Sequence, residues 1–273
     1  MPASLPILHI ADAVCADVSA GRDVVVWAPP GTGKTTALPP ALLDVVDGRV
    51  IVVEPRRIAA RLAARFVARS RGEEVGGTVG YRVRFDRRMG PDTRLAYVTD
   101  GILATMLAED PSLSGVSVVI FDEFHERRLA SDLAFARLLH LSRGGRPDLR
   151  LAVLSATLEA ERIADHMGGV VHRTPDVRFP VEVRHAPVPR GGDEAGAVLR
   201  AAEALVDEDP KRSILVFLPG MAEIRRTEAK LRPWAAARDL DVRPLHGSLP
   251  LSAQAEAVRR GVRPRIVLAT NVA

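Results

Sequence analysis

The chain has 273 residues, of which 47% are hydrophobic and 4% aromatic, enough for two cores of ordinary size built from aliphatic side chains. A single cysteine, Cys15, excludes an internal disulfide framework and a zinc site made of cysteines. No apolar run approaches the ~20 residues of a membrane helix, and the N-terminus lacks the early basic residues and long apolar stretch of a signal peptide. We therefore expect a cytoplasmic protein with no membrane partner.

The formal net charge is +4, a mild basic bias that suits a polyanionic partner. A biased codon usage would give the same excess of basic residues, so charge alone does not establish nucleic-acid binding. Of the 38 basic residues, only Lys34, Lys211 and Lys230 are lysines. The position of each lysine is informative because lysine is so rare here.

The first 174 residues alternate short β-branched segments with Ala-, Leu- and Arg-rich segments of helical spacing. Polar residues rarely interrupt the β-branched segments, which is typical of strands covered on both faces. Strands that alternate with helices indicate a parallel sheet with helices on both sides, so this half predicts an α/β fold. The predicted strands are residues 23–27, 50–53, 95–99, 116–121 and 149–154, and the predicted helices include 58–69 and 131–141.

Two segments of this half have amphipathic patterns. In the helix 58–69, the predicted buried stripe consists of Ile58, Leu62 and Phe66. The predicted basic stripe consists of Arg57, Arg61, Arg65 and Arg69. In residues 80–85, apolar side chains alternate with two arginines, which predicts a half-exposed strand.

A proline-rich stretch after His172 is the predicted domain boundary, dividing the chain into domains 1–174 and 175–273. Beyond it the strand–helix alternation begins again. The predicted strands are residues 213–218, 242–245 and 266–270, and the predicted helices are 195–207, 222–237 and 254–260. The chain therefore contains two α/β units in succession.

The first predicted strand leads directly into the sequence Ala28-Pro29-Pro30-Gly31-Thr32-Gly33-Lys34-Thr35, which has the strand–loop–helix context of a Walker A motif. Its two glycines allow the backbone to turn its N–H groups toward a phosphate, and the helix N-terminus adds a partial positive charge. Lys34 is predicted to reach the β- and γ-phosphates of ATP, and the Thr35 hydroxyl to bind Mg²⁺. The predicted nucleotide-binding residues are Pro30, Gly31, Thr32, Gly33, Lys34, Thr35 and Thr36.

The apolar segment 116–121 ends in Asp122 and Glu123. Carboxylates at the carboxyl end of a buried parallel strand lie where α/β sheets bind their ligands. Two adjacent buried carboxylates are unfavourable without a cation, which favours a metal-dependent site. We predict that Asp122 holds Mg²⁺ through a water and that Glu123 orients and deprotonates the water that attacks the γ-phosphate.

These residues and a series of further motifs resemble the DEAH/RHA group of superfamily 2 RNA helicases, and within it the bacterial HrpB-type branch. Asp122-Glu123-Phe124-His125 resembles motif II. The other matching segments, in chain order, are Glu54-Pro55-Arg56-Arg57 (motif Ia), Thr99-Asp100-Gly101 (Ib), Ser155-Ala156-Thr157 (III), Phe217-Leu218-Pro219-Gly220 (IV) and Ala269-Thr270-Asn271-Val272-Ala273 (the opening of V). Together these ordered motifs span nearly the whole chain.

The resemblance implies two RecA-like P-loop NTPase domains with parallel sheets, the second incomplete at its C-terminus, with ATP and Mg²⁺ in the cleft and single-stranded RNA across both domains. It implies that His125 links motif II to the coupling network, and that Ser155 and Thr157 couple hydrolysis to domain movement. With Lys34, Asp122 and Glu123, His125 completes the predicted catalytic set.

The predicted nucleic-acid contacts begin in residues 55–72, which contain six arginines and no acidic residue. Arg56 and Arg57 lie at the strand-to-helix turn and are predicted to bind phosphates, whereas we interpret Arg65 and Arg69 as solvated. The remaining predicted contacts are Thr99, Asp100, Gly101, Gly220, Thr270 and Asn271. No aromatic side chain is predicted to form a stacking platform, so we expect contacts with the sugar–phosphate backbone rather than recognition of bases.

Two alternatives remain at this point. One is a DNA-directed translocase, because backbone contacts would serve either polymer; the other is a non-motor nucleotide switch with the same phosphate loop. We also expect the natural protein to continue beyond Ala273, because a RecA-like domain should not stop just after motif V. The printed sequence also lacks motif VI, whose arginines reach the γ-phosphate in the family that it resembles. Since arginine fingers contribute about 10³–10⁵ in rate in other phosphoryl-transfer enzymes, we expect these 273 residues to bind nucleotide but hydrolyse it slowly.

Overall fold

A computed structural model describes residues 5–156, 159–175, 181–188, 191–259 and 261–270. The chain divides into two compact units, Met1–Phe179 and Pro180–Ala273. The boundary predicted between residues 174 and 175 lies slightly earlier in the chain. The predicted site residues Thr157 and Asn271 lie outside the described residues.

The first unit is built on an eight-stranded sheet with the strand order β4-β3-β5-β2-β6-β7-β1-β8. Every pairing in it is parallel except that of β4 with β3. Its strands are β1 (Val24–Trp27), β2 (Arg49–Val53), β3 (Val79–Val83), β4 (Asp86–Arg88), β5 (Leu95–Val98), β6 (Val116–Phe121), β7 (Arg150–Ser155) and β8 (Val170–Arg173). Its described helices are α1 (Leu8–Ser19), α2 (Lys34–Leu43), α3 (Arg57–Ser70), α4 (Asp100–Glu109), α5 (Leu129–Arg143) and α6 (Ala160–Met167). The predicted α/β fold is confirmed.

The continuous apolar strands are explained by two cores, one on each face of the sheet. Successive strand residues point to opposite faces, so Val24 and Val26 of β1 join the core beneath α1, α2 and α3. Val25 and Trp27 join the core beneath α4, α5 and α6. Because helices cover both faces of the sheet, the side chains on either face of a strand can be apolar. The central strands are accordingly almost completely buried.

The parallel pairing brings the carboxyl ends of β1, β2, β5, β6 and β7 to one edge of the sheet. The residues that follow these strands are those of the Walker A loop and of motifs Ia, Ib, II and III. The topology therefore assembles five separate motifs at one edge.

The amphipathic pattern predicted for α3 is wrong in two places. Phe66 is 58% exposed, whereas Arg61 is only 7% exposed. The buried face consists mainly of small residues: Ala60, Ala63, Ala64, Val67 and Ala68. These let the helix approach the sheet closely, and the Arg61 guanidinium still reaches a partner, Asp86 Oδ2, at 3.4 Å.

The N-terminal helix α1 was not predicted. Just before it, the Ile7 N–H donates to the carbonyl of Thr32 at 3.2 Å, which ties the N-terminal segment to the Walker A loop. Among the helices that the structure describes, none combines the length and apolar character needed to cross a membrane.

The second unit contains a three-stranded parallel sheet in the described part of the chain, with the order β10-β11-β9. Its elements are α7 (Glu194–Glu208), β9 (Ile214–Phe217), α8 (Met221–Ala236), β10 (Asp241–Leu245), α9 (Leu251–Val258) and β11 (Arg265–Ala269). Apolar side chains of α7 and α8 pack against the strands to form a separate core. The order of these elements is the predicted one, and their ends differ from the prediction by a few residues.

Replacing Phe135 with alanine should lower the free energy of unfolding by about 3 kcal/mol or more, the usual cost of removing a buried aromatic ring. Phe135 is 6% exposed and packs edge-on against Phe121, with ring centroids 5.5 Å apart. Phe85→Ala is the matched control, because Phe85 is 89% exposed and its loss should cost less than about 0.5 kcal/mol. Urea denaturation followed by circular dichroism tests both variants, and equal effects would contradict this account of the core.

Candidate functional site

The loop between β1 and α2 has the backbone conformation of a phosphate cradle. Gly31 and Gly33 have φ angles of +79° and +91°, which only glycine adopts readily. The Thr32 hydroxyl donates to the carbonyl of Pro29 at 2.8 Å and closes the loop. Lys34 begins α2, so the N-terminal N–H groups of that helix lie beside the loop.

The Walker A loop and the end of β6 are in direct contact. Lys34 Nζ lies 2.9 Å from Glu123 Oε1, and the Thr35 hydroxyl donates to Asp122 Oδ2. Asp122 Oδ1 accepts the N–H of Glu123 at 2.8 Å, which fixes the carboxylate against its own backbone. The predicted lysine, hydroxyl and two carboxylates therefore form one cluster, although 87 residues separate Thr35 from Asp122.

A third carboxylate, Glu54 at the end of β2, joins this cluster and is also buried. Burial, reinforced by the charges of Asp122 and Glu123, raises the pKa of Glu54 to about 9. Burial likewise raises the pKa of Asp122 to about 6, although the bond from Thr35 acts in the opposite direction. At neutral pH Glu54 is therefore protonated, and the carboxylates of Asp122 and Glu123 face the single positive charge of Lys34, an imbalance that a divalent cation would offset.

The hydroxyl of Tyr97 is hydrogen-bonded to the first turn of α2. It donates to the carbonyl of Thr35 at 2.9 Å, and Tyr97 is completely buried at the end of β5. Burial, followed by the nearby charges of Asp122 and Glu54, raises the pKa of Tyr97 well above its usual value. The phenol therefore stays protonated and remains a donor to the loop.

His125 lies between motif II and the end of β7. Its Nδ1 is 3.4 Å from Glu123 Oε2 and 3.5 Å from the backbone nitrogen of Ala156. Ser155 is fully buried, and its carbonyl accepts the N–H of Ala28, the residue that opens the Walker A loop. These contacts connect the three loops that follow β1, β6 and β7.

The short 3₁₀ turn Phe124–Glu126 directs the motif II side chains. Glu123 precedes it with φ +49° and Arg127 follows it with φ +48°. Such left-handed conformations at non-glycine residues cost of order 1–3 kcal/mol each. With this backbone conformation, the Glu123 side chain reaches Lys34.

The predicted nucleic-acid residues of the first unit follow β2 and β5, which are neighbours in the sheet. Arg57 is exposed, and Arg56 forms an ion pair with Glu126 at 2.7 Å. Gly101 is also exposed, whereas Thr99 is buried and offers less of its hydroxyl to a ligand than predicted. Asp100 begins α4, where one of its oxygens accepts the N–H of Gly101 at 2.9 Å.

An exposed aromatic residue lies on this surface, although the sequence predicted no stacking platform. Phe85 lies in the tight turn between β3 and β4 with φ +66°, and it is 89% exposed. The Arg84 guanidinium lies 4.7 Å from the centroid of its ring. Since Arg82 of β3 is in register with Val98 of β5, this turn is at the same edge as motif Ib. Its signal in the sequence was an aromatic residue between Arg84 and Asp86, where the alternation of a strand ends.

In the second unit, Gly220 and Thr270 follow the neighbouring parallel strands β9 and β11. Gly220 caps the N-terminus of α8 in an extended conformation. Thr270 is 6% exposed and its N–H donates to the carbonyl of Leu245 at 3.4 Å. Both residues therefore lie at the carboxyl edge of this smaller sheet.

The donor groups suit a magnesium nucleotide better than a metal held by protein alone. Within the described ranges, no group of three or more His, Cys, Asp or Glu side chains is arranged to hold a metal ion. Mg²⁺ is usually held by one or two carboxylates together with substrate phosphates and water. Thr35 and Asp122 supply such a partial set beside a loop shaped for phosphate.

Comparison with known proteins gives consistent matches. A profile described as DEAD/DEAH box helicase matches residues 9–166. The ATP-dependent RNA helicase HrpB of Escherichia coli K12 is 42% identical over 99% of this chain and 34% of its own length, and the HrpA homolog of Haemophilus influenzae is 35% identical over 100% and 21%. A crystal structure of the E. coli DEAH/RHA helicase HrpB superposes with a TM-score of 0.88 and 40% identity, over 98% of this chain and 35% of that one. The chain thus spans about a third or less of the length of these relatives.

Glu54→Gln should change how stability depends on pH. A glutamate in an unfolded chain titrates near about 4.3, whereas the pKa of buried Glu54 is about 9. Between these values the folded chain binds a proton that the unfolded chain has lost, so stability falls as pH rises. Without nucleotide or divalent cation, the variant should be more stable than the wild type by over about 1 kcal/mol at pH 8 and similar at pH 4.

Urea denaturation at the two pH values measures this difference. Glu109→Gln is the control, because the Glu109 side chain is 60% exposed and pairs only with Arg82 at 3.6 Å among the interactions of the described residues. If the free energy of unfolding depended on pH in the same way for Glu54→Gln and the wild type, Glu54 would not be the group that binds the extra proton in the folded chain.

Proposed function

Because the chain belongs to the DEAD/DEAH box helicase family, as its motifs predicted, we propose that its 273 residues are the ATP- and RNA-binding part of an ATP-dependent RNA helicase of the DEAH type. The observation that carries the proposal is the contact of Lys34 and Thr35 with Asp122 and Glu123. The first domain, about residues 1–174, supplies the nucleotide site and motifs I to III. The second supplies motif IV and the beginning of motif V, and the activity on RNA takes place in the cytoplasm.

The residues around Lys34 account for nucleotide binding. The loop 30–36 surrounds the phosphates with N–H groups, and Lys34 donates to the β- and γ-phosphate oxygens. Thr35 and Asp122 would hold Mg²⁺, with Asp122 reaching it through a water. When bound, the ion withdraws electron density from the phosphate oxygens and neutralises the charge that develops during phosphoryl transfer.

Glu123 is the proposed general base. In the structure its carboxylate pairs with Lys34 at 2.9 Å. A γ-phosphate competes for the same ammonium group, so nucleotide binding draws Lys34 away and leaves one Glu123 oxygen available to accept a proton from the attacking water. His125, at 3.4 Å from the other oxygen, keeps the carboxylate oriented.

Slow turnover by these residues alone is part of the proposal. The printed sequence contains no match to motif VI, whose arginines reach the γ-phosphate in the family. Binding of nucleotide and RNA is therefore the sharper readout for this chain.

The proposed RNA surface is the carboxyl edge of the first sheet beside β2, β5 and β3. Arg56 and Arg57 bind backbone phosphates. Gly101, which is exposed in the first turn of α4, offers its backbone to the same strand. Phe85 and Arg84 extend this surface with a ring on which a base can stack. Gly220, Thr270 and Asn271 are the proposed contacts of the second domain.

Lys34→Ala should weaken binding of ATP with Mg²⁺ at least about tenfold, because a charge-assisted contact to phosphate contributes roughly 1.5–3 kcal/mol. Equilibrium titration with a fluorescent ATP analogue measures the change. Lys211→Ala is the matched control, since Lys211 is an exposed lysine of the second unit and should bind as the wild type does. Wild-type affinity in Lys34→Ala would overturn the proposed nucleotide site.

Phe85→Ala should weaken binding of a single-stranded oligonucleotide by about fivefold or more, since stacking of a base on an aromatic ring contributes about 1–3 kcal/mol. Fluorescence anisotropy with a labelled RNA of mixed sequence measures the loss. Phe66→Ala is the control, because Phe66 is also exposed, at 58%, but lies in the later part of α3, away from the carboxyl edge at which that helix begins.

Competition between matched RNA and DNA strands in the same assay distinguishes the two polymers, because only RNA carries the 2′-hydroxyl. Tighter binding of RNA supports the proposal, and tighter binding of DNA favours a DNA-directed translocase. Failure of the wild-type chain to bind either strand would favour a nucleotide switch without motor function.

A further inference from the structure

Glu126, the last residue of the 3₁₀ turn, bridges two arginines of the first unit. Its Oε1 lies 2.7 Å from Arg56 Nη2, and its Oε2 lies 3.3 Å from Arg128 Nε. Each carboxylate oxygen thus has its own guanidinium. The Glu126 and Arg56 side chains are only partly exposed, at 27% and 31%, so water screens this pair less than it would a fully exposed one.

Arg128 adds a second attachment to the same loop. Its Nη1 donates to the carbonyl of Pro55 at 2.8 Å and lies 3.6 Å from Asp100 Oδ2. The segment after motif II is therefore attached to motif Ia through both a side chain and the backbone, and to motif Ib through Asp100. A displacement of residues 126–128 cannot leave the other two motifs unaffected.

The opposite end of this short turn belongs to the nucleotide site. The Glu126 N–H donates to the carbonyl of Glu123 at 2.9 Å. Glu123 in turn contacts Lys34 and His125 through its two carboxylate oxygens. The turn thus joins Glu123, the proposed base, to Glu126, which pairs with the proposed phosphate-binding Arg56. A residue with a strained backbone lies on each side of the turn.

We propose that Glu126 is a positioning residue that relays RNA binding at Arg56 to Glu123 in the nucleotide site. The relay rests on the proposed function. An RNA phosphate competes with the Glu126 carboxylate for the Arg56 guanidinium, since both are anions that bind the same donors. Release of Glu126 then frees the 3₁₀ turn to shift, and with it the Glu123 carboxylate that lies at its beginning.

Glu126→Gln in the 273-residue chain tests the relay, because glutamine keeps the shape of the side chain and removes its charge. The measured quantities are the Kd for single-stranded RNA alone and the Kd in the presence of Mg²⁺ and a non-hydrolysable ATP analogue. Their ratio is the coupling between the two sites, and it is the same whichever ligand binds first. We expect a coupling of at least about fivefold in the wild type.

Two opposite changes are expected in the variant. RNA alone should bind about threefold more tightly, because a negative charge near the bound phosphate has been removed. The coupling ratio should fall to near one. A residue that merely supported the fold would weaken RNA binding rather than strengthen it, so the opposite directions distinguish a relay from a structural role.

Asp132→Asn is the matched control. Asp132 lies in α5 and pairs with Arg127 at 3.1 Å, directly after the same turn. This variant should keep the wild-type coupling. Wild-type coupling in Glu126→Gln, or an equal loss in both variants, would overturn the relay. If the wild-type chain binds RNA without coupling, the relay alone is wrong, whereas absence of RNA binding overturns the proposed function and the relay with it.

Discussion

The ion pair between Lys34 and Glu123 constrains the whole first unit, because it joins two chain segments that are distant in sequence and both largely withdrawn from water. A buried charge is strongly unfavourable unless it is paired. The pairing requires β1 and β6 to end at the same height of one sheet, with β7 between them. This geometry depends on the strand order, on the parallel direction of the strands and on the tight loop at Gly33.

The same constraint explains why the site is electrostatically unbalanced. The charges of Asp122 and Glu123 add to burial in raising the pKa of Glu54, and these two carboxylates face only one positive charge, that of Lys34. Such a cluster reduces the stability of the nucleotide-free protein at neutral pH and favours any ligand that brings a divalent cation. The cluster therefore lowers the stability of the free protein and raises its affinity for such a ligand, and perturbed charges of this kind are common at functional sites.

Much of this arrangement follows from local sequence patterns. The apolar strands, the Walker A loop and the order of the motifs predict the α/β fold and the family, both of which are confirmed. The errors have a physical origin. In α3 the pattern of large apolar residues predicted burial of Phe66, yet alanines form the buried face and Arg61 is buried beside them. Phe85 and Glu126 were missed because turn geometry and ion pairs between distant residues leave no periodic signal.

The turn Phe124–Glu126 shows how a rigid sheet can serve two ligands. β6 itself is almost completely buried, and its side chains belong to both cores of the first unit. The positive φ angles of Glu123 and Arg127 place strained, and hence more easily altered, backbone directly after it. Any movement that links Glu123 to Glu126 is therefore expected in the turn Phe124–Glu126 rather than in the strand. A sheet that holds the phosphate loop fixed, followed by a strained turn beside Arg56, is the arrangement on which the proposed relay depends.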